Sequence, residues 1–156
     1  MKPRRILLLV SVTALLVSSA VAVAAGDFVW VRDLNRRAKS DPVGFAATLA
    51  ARFRTGNAEI DAVLSNVARP ADAYMIFRLG EMSGRPADYV LERYGAEKGR
   101  GWGALAKSLG IKPGSSEFHA LKRGHDLFDR RGRAIYDGAG KGKAWNRDKP
   151  KRRNNR

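Results

Sequence analysis

Three groups of residues in this sequence are of types that do chemistry. They are a glycine-rich stretch around Trp102, two histidines among carboxylates, and a run of cations at the C-terminal end. In the first, Lys98 and Arg100 flank Gly99, Gly101 and Gly103 around Trp102. Free N–H groups at a helix start near Gly101, beside two cations, suit an anion such as a phosphate or carboxylate, with Trp102 as a wall. The stretch lacks a preceding strand and the spacing of a dinucleotide or Walker loop, which excludes a nucleotide fold of those kinds. The simpler reading makes Trp102 a core residue, with glycines that let the backbone approach.

His119 and His125 have Glu117, Asp126 and Asp129 nearby. Their spacing matches no familiar metal-ligand pattern. Glu117 and His119, two apart on a helix, do not share a face. There is no cysteine, and no serine stands in a nucleophile-elbow context. Pairs such as Asp88 and Glu92 fall on the polar face of a helix and read as solvated charge. No catalytic residue, metal or cofactor is indicated.

The third group carries the strongest hint. Residues 130–156 hold 11 cations and 2 acids, among them Lys141, Lys143, Arg147, Lys149, Lys151, Arg152 and Arg153. Residues 27–129 hold 16 cations and 13 acids, so the net charge of +15 belongs largely to the tail. Such a tail attracts polyanions by counterion release, without sequence preference. The expected partners are anionic lipid, an envelope polymer or nucleic acid. The plainer alternative is a solubilising end.

The elements that must position these residues read as short helices. Lys2, Arg4 and Arg5 precede an uncharged run from Ile6 to Gly26 that ends in small residues, including Ala22-Val23-Ala24. That order is the positive, apolar and small-residue plan of a signal peptide, and it places the mature start near Ala25 to Asp27. The alternative is an uncleaved anchor in the inner membrane, since a span needs roughly 20 residues. The expected location is therefore periplasmic or extracellular. The expected division is a signal peptide over 1–25, a helical domain over 26–129 and a basic, mostly disordered tail over 130–156. With no cysteine, the domain must hold together by packing alone.

Apolar residues recur at helical spacing as Ala46, Leu49, Ala50 and Phe53, and as Ile60, Val63, Leu64 and Val67. They recur again as Ala87, Val90, Leu91 and Tyr94, and as Trp102, Leu105, Ala106 and Leu109. The segment Ala71 to Met82 is apolar on two sides, which predicts a central buried helix. Trp30, Val31, Leu34 and Ala38 form a weaker stripe, expected to dock at the edge. Asp41 before Pro42 predicts an N-cap, and Ser115 or Ser116 predicts another. Pro70 and Pro86 suit first turns. Gly56, Gly84, Gly95, Gly110 and Gly124 stand where left-handed C-caps are expected. Leu127, Phe128, Ile135 and Tyr136 are expected to add one more turn on the body. No stretch alternates like a strand for long. The expected fold is all-α, a compact orthogonal bundle of five to seven short helices with helix-turn-helix-like hairpins.

Two patterns lie within this body. Leu79-Gly80, Gly84 and Leu91 recur thirty residues on as Leu109-Gly110, Gly114 and Leu121, a faint repeat. Ala106, Leu109, Gly110 and Ile111 suit the first helix and turn of a DNA-reading helix-turn-helix. A helix from Ser116 would then offer His119, Lys122 and Arg123 to a groove. The turn Lys112 to Ser115 is longer than that motif allows, and an exported protein does not meet the chromosome. Gly101-Trp102-Gly103, then Ala106-Lys107, Leu109-Gly110-Ile111, and Gly114-Ser115 with Glu117-Phe118-His119 also form a combined pattern. In this the chain resembles small exported bacterial helical proteins of unassigned function, over about residues 70–125. The resemblance implies a helical fold and export, and no chemistry.

Overall fold

In a computed structural model, the chain is described over residues 28–97 and 99–136. Seven helices follow one another among these residues, and no sheet forms. They are α1 Trp30–Ser40, α2 Pro42–Phe53, α3 Asn57–Ser65, α4 Pro70–Ser83, α5 Ala87–Ala96, α6 Trp102–Ser108 and α7 Ser116–Arg123. The all-α expectation holds. The signal peptide over 1–25 and the tail beyond 136 lie outside the described residues.

The punctuation follows the physics of orphan helix-end groups. Asp41 accepts the Gly44 N–H at 2.8 Å and caps α2, with Pro42 in its first turn. Ser115 accepts the Phe118 N–H at 3.2 Å and caps α7. Pro70 opens α4, whereas Pro86 is the extended residue before α5. Gly84 ends α4 in the left-handed region, with φ 65°, a backbone that side chains with a Cβ resist. The other glycine stops divide. The left-handed end of α2 falls on Arg54, so Gly56 becomes the extended N-cap of α3. Gly95 lies inside α5, because the helix runs on to Ala96. Gly110 follows the end of α6 with positive φ, while Gly124 ends α7 in a backbone that is not the left-handed helical one.

The helix α4 is central. Every residue from Ala71 to Phe77 is buried, as are Leu79 and Gly80. A helix apolar on two sides can bury both only if neighbours cover both. The most extensive contacts of α4 are with α1 and α5. Here the expectation for α1 is corrected. It is a main partner of the central helix, with Val31, Leu34 and Ala38 buried, and not an edge element. Its stripe looked weak because Arg32, Asp33, Arg36, Arg37 and Lys39 crowd the other face. Asn35 adds a cap across the fold, its Oδ1 accepting the Ala71 N–H of α4 at 2.9 Å. At Gly80 a Cβ would stand 2.8 Å from the Arg85 carbonyl oxygen, so glycine lets the α4–α5 turn fold tightly against its own helix.

Among the described residues after α7, 124–136, the chain adds no helical turn. Leu127 is fully buried and Phe128 packs on the core. Phe128 and Ala134 form an antiparallel bridge, and the Ile135 N–H donates to the Leu127 carbonyl at 2.9 Å. Asp129 closes the turn by accepting the N–H groups of Arg131 and Arg133, each at 2.9 Å. The boundary expected at residue 129 thus falls inside a small hairpin. The faint thirty-residue repeat is repeated in conformation only in part, since Gly84 and Gly114 both have positive φ but the Gly80 and Gly110 pair differs. Gly80 is helical, while Gly110 has φ 88°.

Candidate functional site

The stretch around Trp102 forms one wall of a cavity. Tyr94 closes α5 and Trp102 opens α6, and the turn between them brings their rings into a parallel stack. The ring centres are 5.0 Å apart and the planes 12° apart. Gly101, with φ 82°, supplies the backbone that starts α6 at this angle. Arg69, Tyr94, Glu97, Gly99, Gly101, Trp102 and Leu105 enclose about 210 Å³. Both rings are half-buried, so Trp102 belongs to a wall between core and solvent.

The polar rim of this cavity is ordered by a carboxylate beneath it. Asp72 is fully buried in the first turn of α4. It accepts from Arg69 Nε at 3.2 Å and Nη2 at 3.1 Å, and from the Tyr94 hydroxyl at 3.1 Å. Burial and the Asp72 charge raise the Tyr94 pKa, so the phenol stays protonated. Glu97 accepts from Arg93 Nη2 at 2.9 Å. Of the cations expected here, Arg100 is exposed, and Lys98 lies outside the described residues. Lys141, Lys143, Arg147, Lys149, Lys151, Arg152 and Arg153 lie outside them as well.

Sequence reasoning missed a second constellation. The Arg52 guanidinium, with its side chain 9% exposed, bridges two carboxylates. Its Nη1 and Nη2 bond the two Glu81 oxygens at 2.9 Å each, and its Nε bonds Asp126 at 2.7 Å. The Tyr74 hydroxyl donates to the other Asp126 oxygen at 3.1 Å, and Arg78 also bonds Glu81. Burial opposes the Arg52 charge, but Glu81 and Asp126 outweigh it and hold the guanidinium firmly protonated. Burial also drives the Tyr74 pKa well above the ordinary phenol value. Every group in the cluster is satisfied by another, so it is a clamp that ties the C-terminal hairpin to α2 and α4. Arg52 and Asp126 are 74 residues apart, and no local signal joins them.

The two histidines part company. His119 is exposed on α7. His125 is packed between the rings of Trp30, Tyr74 and Phe128 at 5.7, 6.3 and 6.0 Å. Its Nδ1 and the Trp30 Nε1 are buried without a hydrogen-bond partner. Among the described residues, no three His, Asp or Glu side chains gather as a metal site. Burial lowers the His125 pKa, the Arg37 charge adds to this, and Asp126 and Asp33 only partly offset it. A lowered folded-state pKa means the unfolded chain takes the proton first. The stability gained from the neutral ring is therefore present above about pH 6.5 and is lost as pH falls below it. Urea midpoints measured between pH 7 and 5 should decline in the wild type, and His125→Phe should flatten that segment. An unchanged slope in His125→Phe would place the effect elsewhere. The carboxylates with lowered pKa, Asp33, Glu81, Glu117 and Asp129, act in a separate and more acidic window.

A broader groove of about 680 Å³ runs between α1, α2 and the hairpin, lined by Arg36, Arg37, Asp41, Phe45, Thr48 and Phe128 among others. Arg36 and Arg37 both bond Asp33, so one carboxylate offsets part of their charge. Seven residues, 109–115, separate α6 from α7, and the Lys122 ammonium lies over the ring of Phe118 on its own helix. Among the described residues, no helix is long and apolar enough to cross a membrane. The fold and cavity define the class as a small all-α protein with an aromatic-walled cavity. No family model, curated protein or solved structure matches the chain.

Proposed function

We propose that this is an exported, non-enzymatic helical module whose basic C-terminal segment holds it to an anionic surface or polymer. The export half of the proposal rests on the order of residues 1–26, a cationic start, an apolar run and a small-residue end. One observation carries the binding half, the concentration of excess positive charge in the C-terminal segment. In the body, Arg36, Arg37, Arg52, Arg69, Arg78, Arg93 and Arg133 each lie against a carboxylate. Beyond Tyr136 the sequence holds eight cations and two acids. A matched cation has already given up its field to its neighbour. Unmatched ones release counterions when they meet a polyanion.

The test is a salt titration of binding to phosphatidylglycerol vesicles and to duplex DNA. It compares the chain with and without residues 138–156. Binding by the full chain should weaken linearly in log–log form as salt rises. Removing the segment should cost at least about tenfold at low salt and flatten the slope. Equal binding by both forms, or no binding by either, would overturn the tether.

A further inference from the structure

We infer that the cavity between α5 and α6 binds one six-membered sugar ring, with Trp102 as its stacking platform. This reading stands on the folded body and is independent of the basic segment.

Size sets the first limit. Cavities for drug-sized ligands run about 300–1,000 Å³. This one, at about 210 Å³, suits a ligand of a single ring. Its wall is aromatic, and the face of an indole carries negative potential that attracts the C–H groups of a saturated ring. Tyr94 backs Trp102 in a parallel stack and holds it in place. Leu105 adds apolar surface to the lining.

The rim sets the second limit. Arg69 uses Nε and Nη2 on Asp72, which leaves its Nη1 edge as a donor. Glu97 uses Oε1 on Arg93, which leaves Oε2 as an acceptor. Both residues line the cavity. A vicinal pair of hydroxyls, each able to donate and accept, satisfies one free donor and one free acceptor together. A bare anion fits poorly, because Arg69, the guanidinium in the lining, already faces Asp72, and Glu97 would repel it. A purely apolar ligand would desolvate the rim and leave it unpaired. The glycines help by leaving room. A Cβ at Gly99 or Gly101 would find no atom within 4 Å, so the mouth there is open.

The experiment is calorimetry with saturation-transfer NMR on the full chain. The probes are glucose, galactose, N-acetylglucosamine and a trisaccharide of each, with glycine and inorganic phosphate as competing chemistries. At least one hexose should bind saturably, with a dissociation constant on the order of 1 mM. Tighter binding of the trisaccharide would mark the natural source as a polymer, and equal binding a free sugar. Either supports the site. Trp102→Ala should weaken binding at least tenfold. Glu97→Gln, which keeps the shape of the wall, should weaken it several-fold. The affinity should be insensitive to salt and unchanged without residues 138–156, so this test and the tether test fail separately. Binding only of glycine or phosphate, binding of no probe, or hexose binding untouched by both substitutions would overturn the proposal.

Discussion

Arg52→Ala is expected to destabilise the fold by about 2–3 kcal/mol. The guanidinium makes three hydrogen bonds to two carboxylates and also lies over the rings of Phe53 and Tyr136, at 4.7 and 5.5 Å. Removing one partner of a buried ion pair typically costs about 3–5 kcal/mol, because the charge left behind is unpaired. The carboxylates here are partly open, with side chains 44% exposed at Glu81 and 37% at Asp126. Water and Arg78 therefore recover part of the loss. Arg52→Lys keeps the charge but not the planar fork, so it should recover less than half. Urea unfolding measures both. A double-mutant cycle with Asp126→Ala should return a coupling above about 1 kcal/mol. A loss below about 0.5 kcal/mol for Arg52→Ala would mean that the hairpin docks by apolar packing alone.

Leu34→Ala is expected to cost about 3 kcal/mol, within the 2–5 kcal/mol range for emptying a fully buried leucine position. Leu34 is fully buried between α1 and the core that surrounds α4. Its removal loses transfer free energy and leaves a cavity that helices pinned on several sides cannot close. The control is Val43→Ala in α2, where the side chain is 81% exposed and the change should stay within about 0.5 kcal/mol. Denaturant midpoints at constant slope give both values. If Leu34→Ala behaved like Val43→Ala, α1 would be a peripheral helix after all.

The helix α1 shows where local reading ran short. Its buried stripe was visible in Val31, Leu34 and Ala38, but its rank in the fold was not. The charged face lowers the average hydropathy of the segment and says nothing about what the apolar face meets. The same holds for Trp102. Its helical spacing with Leu105 and Ala106 was legible, and both of those are buried. That its ring would stack on Tyr94 and line a cavity depends on the backbone at Gly99 and Gly101, both with positive φ. The hairpin after Gly124 is not legible locally, because four apolar residues with no clear period suit a helical turn or a bridge equally. The bridge wins because Asp129 satisfies two backbone N–H groups in the turn, and Leu127 can then enter the core.

Local sequence dictates the helices, the central place of α4, the caps at Asp41 and Ser115, and the excess of cations at the C-terminal end. Those depend on periods of three to four residues and on side chains that bond their own neighbours. Tertiary structure alone decided the Arg52 clamp, the burial of His125 among three rings, the cap that Asn35 lends to α4, and the Trp102 cavity. Each joins groups from different elements of the fold. Desolvation and pairing across such distances are set by which surfaces meet, and a local pattern of residues does not encode that.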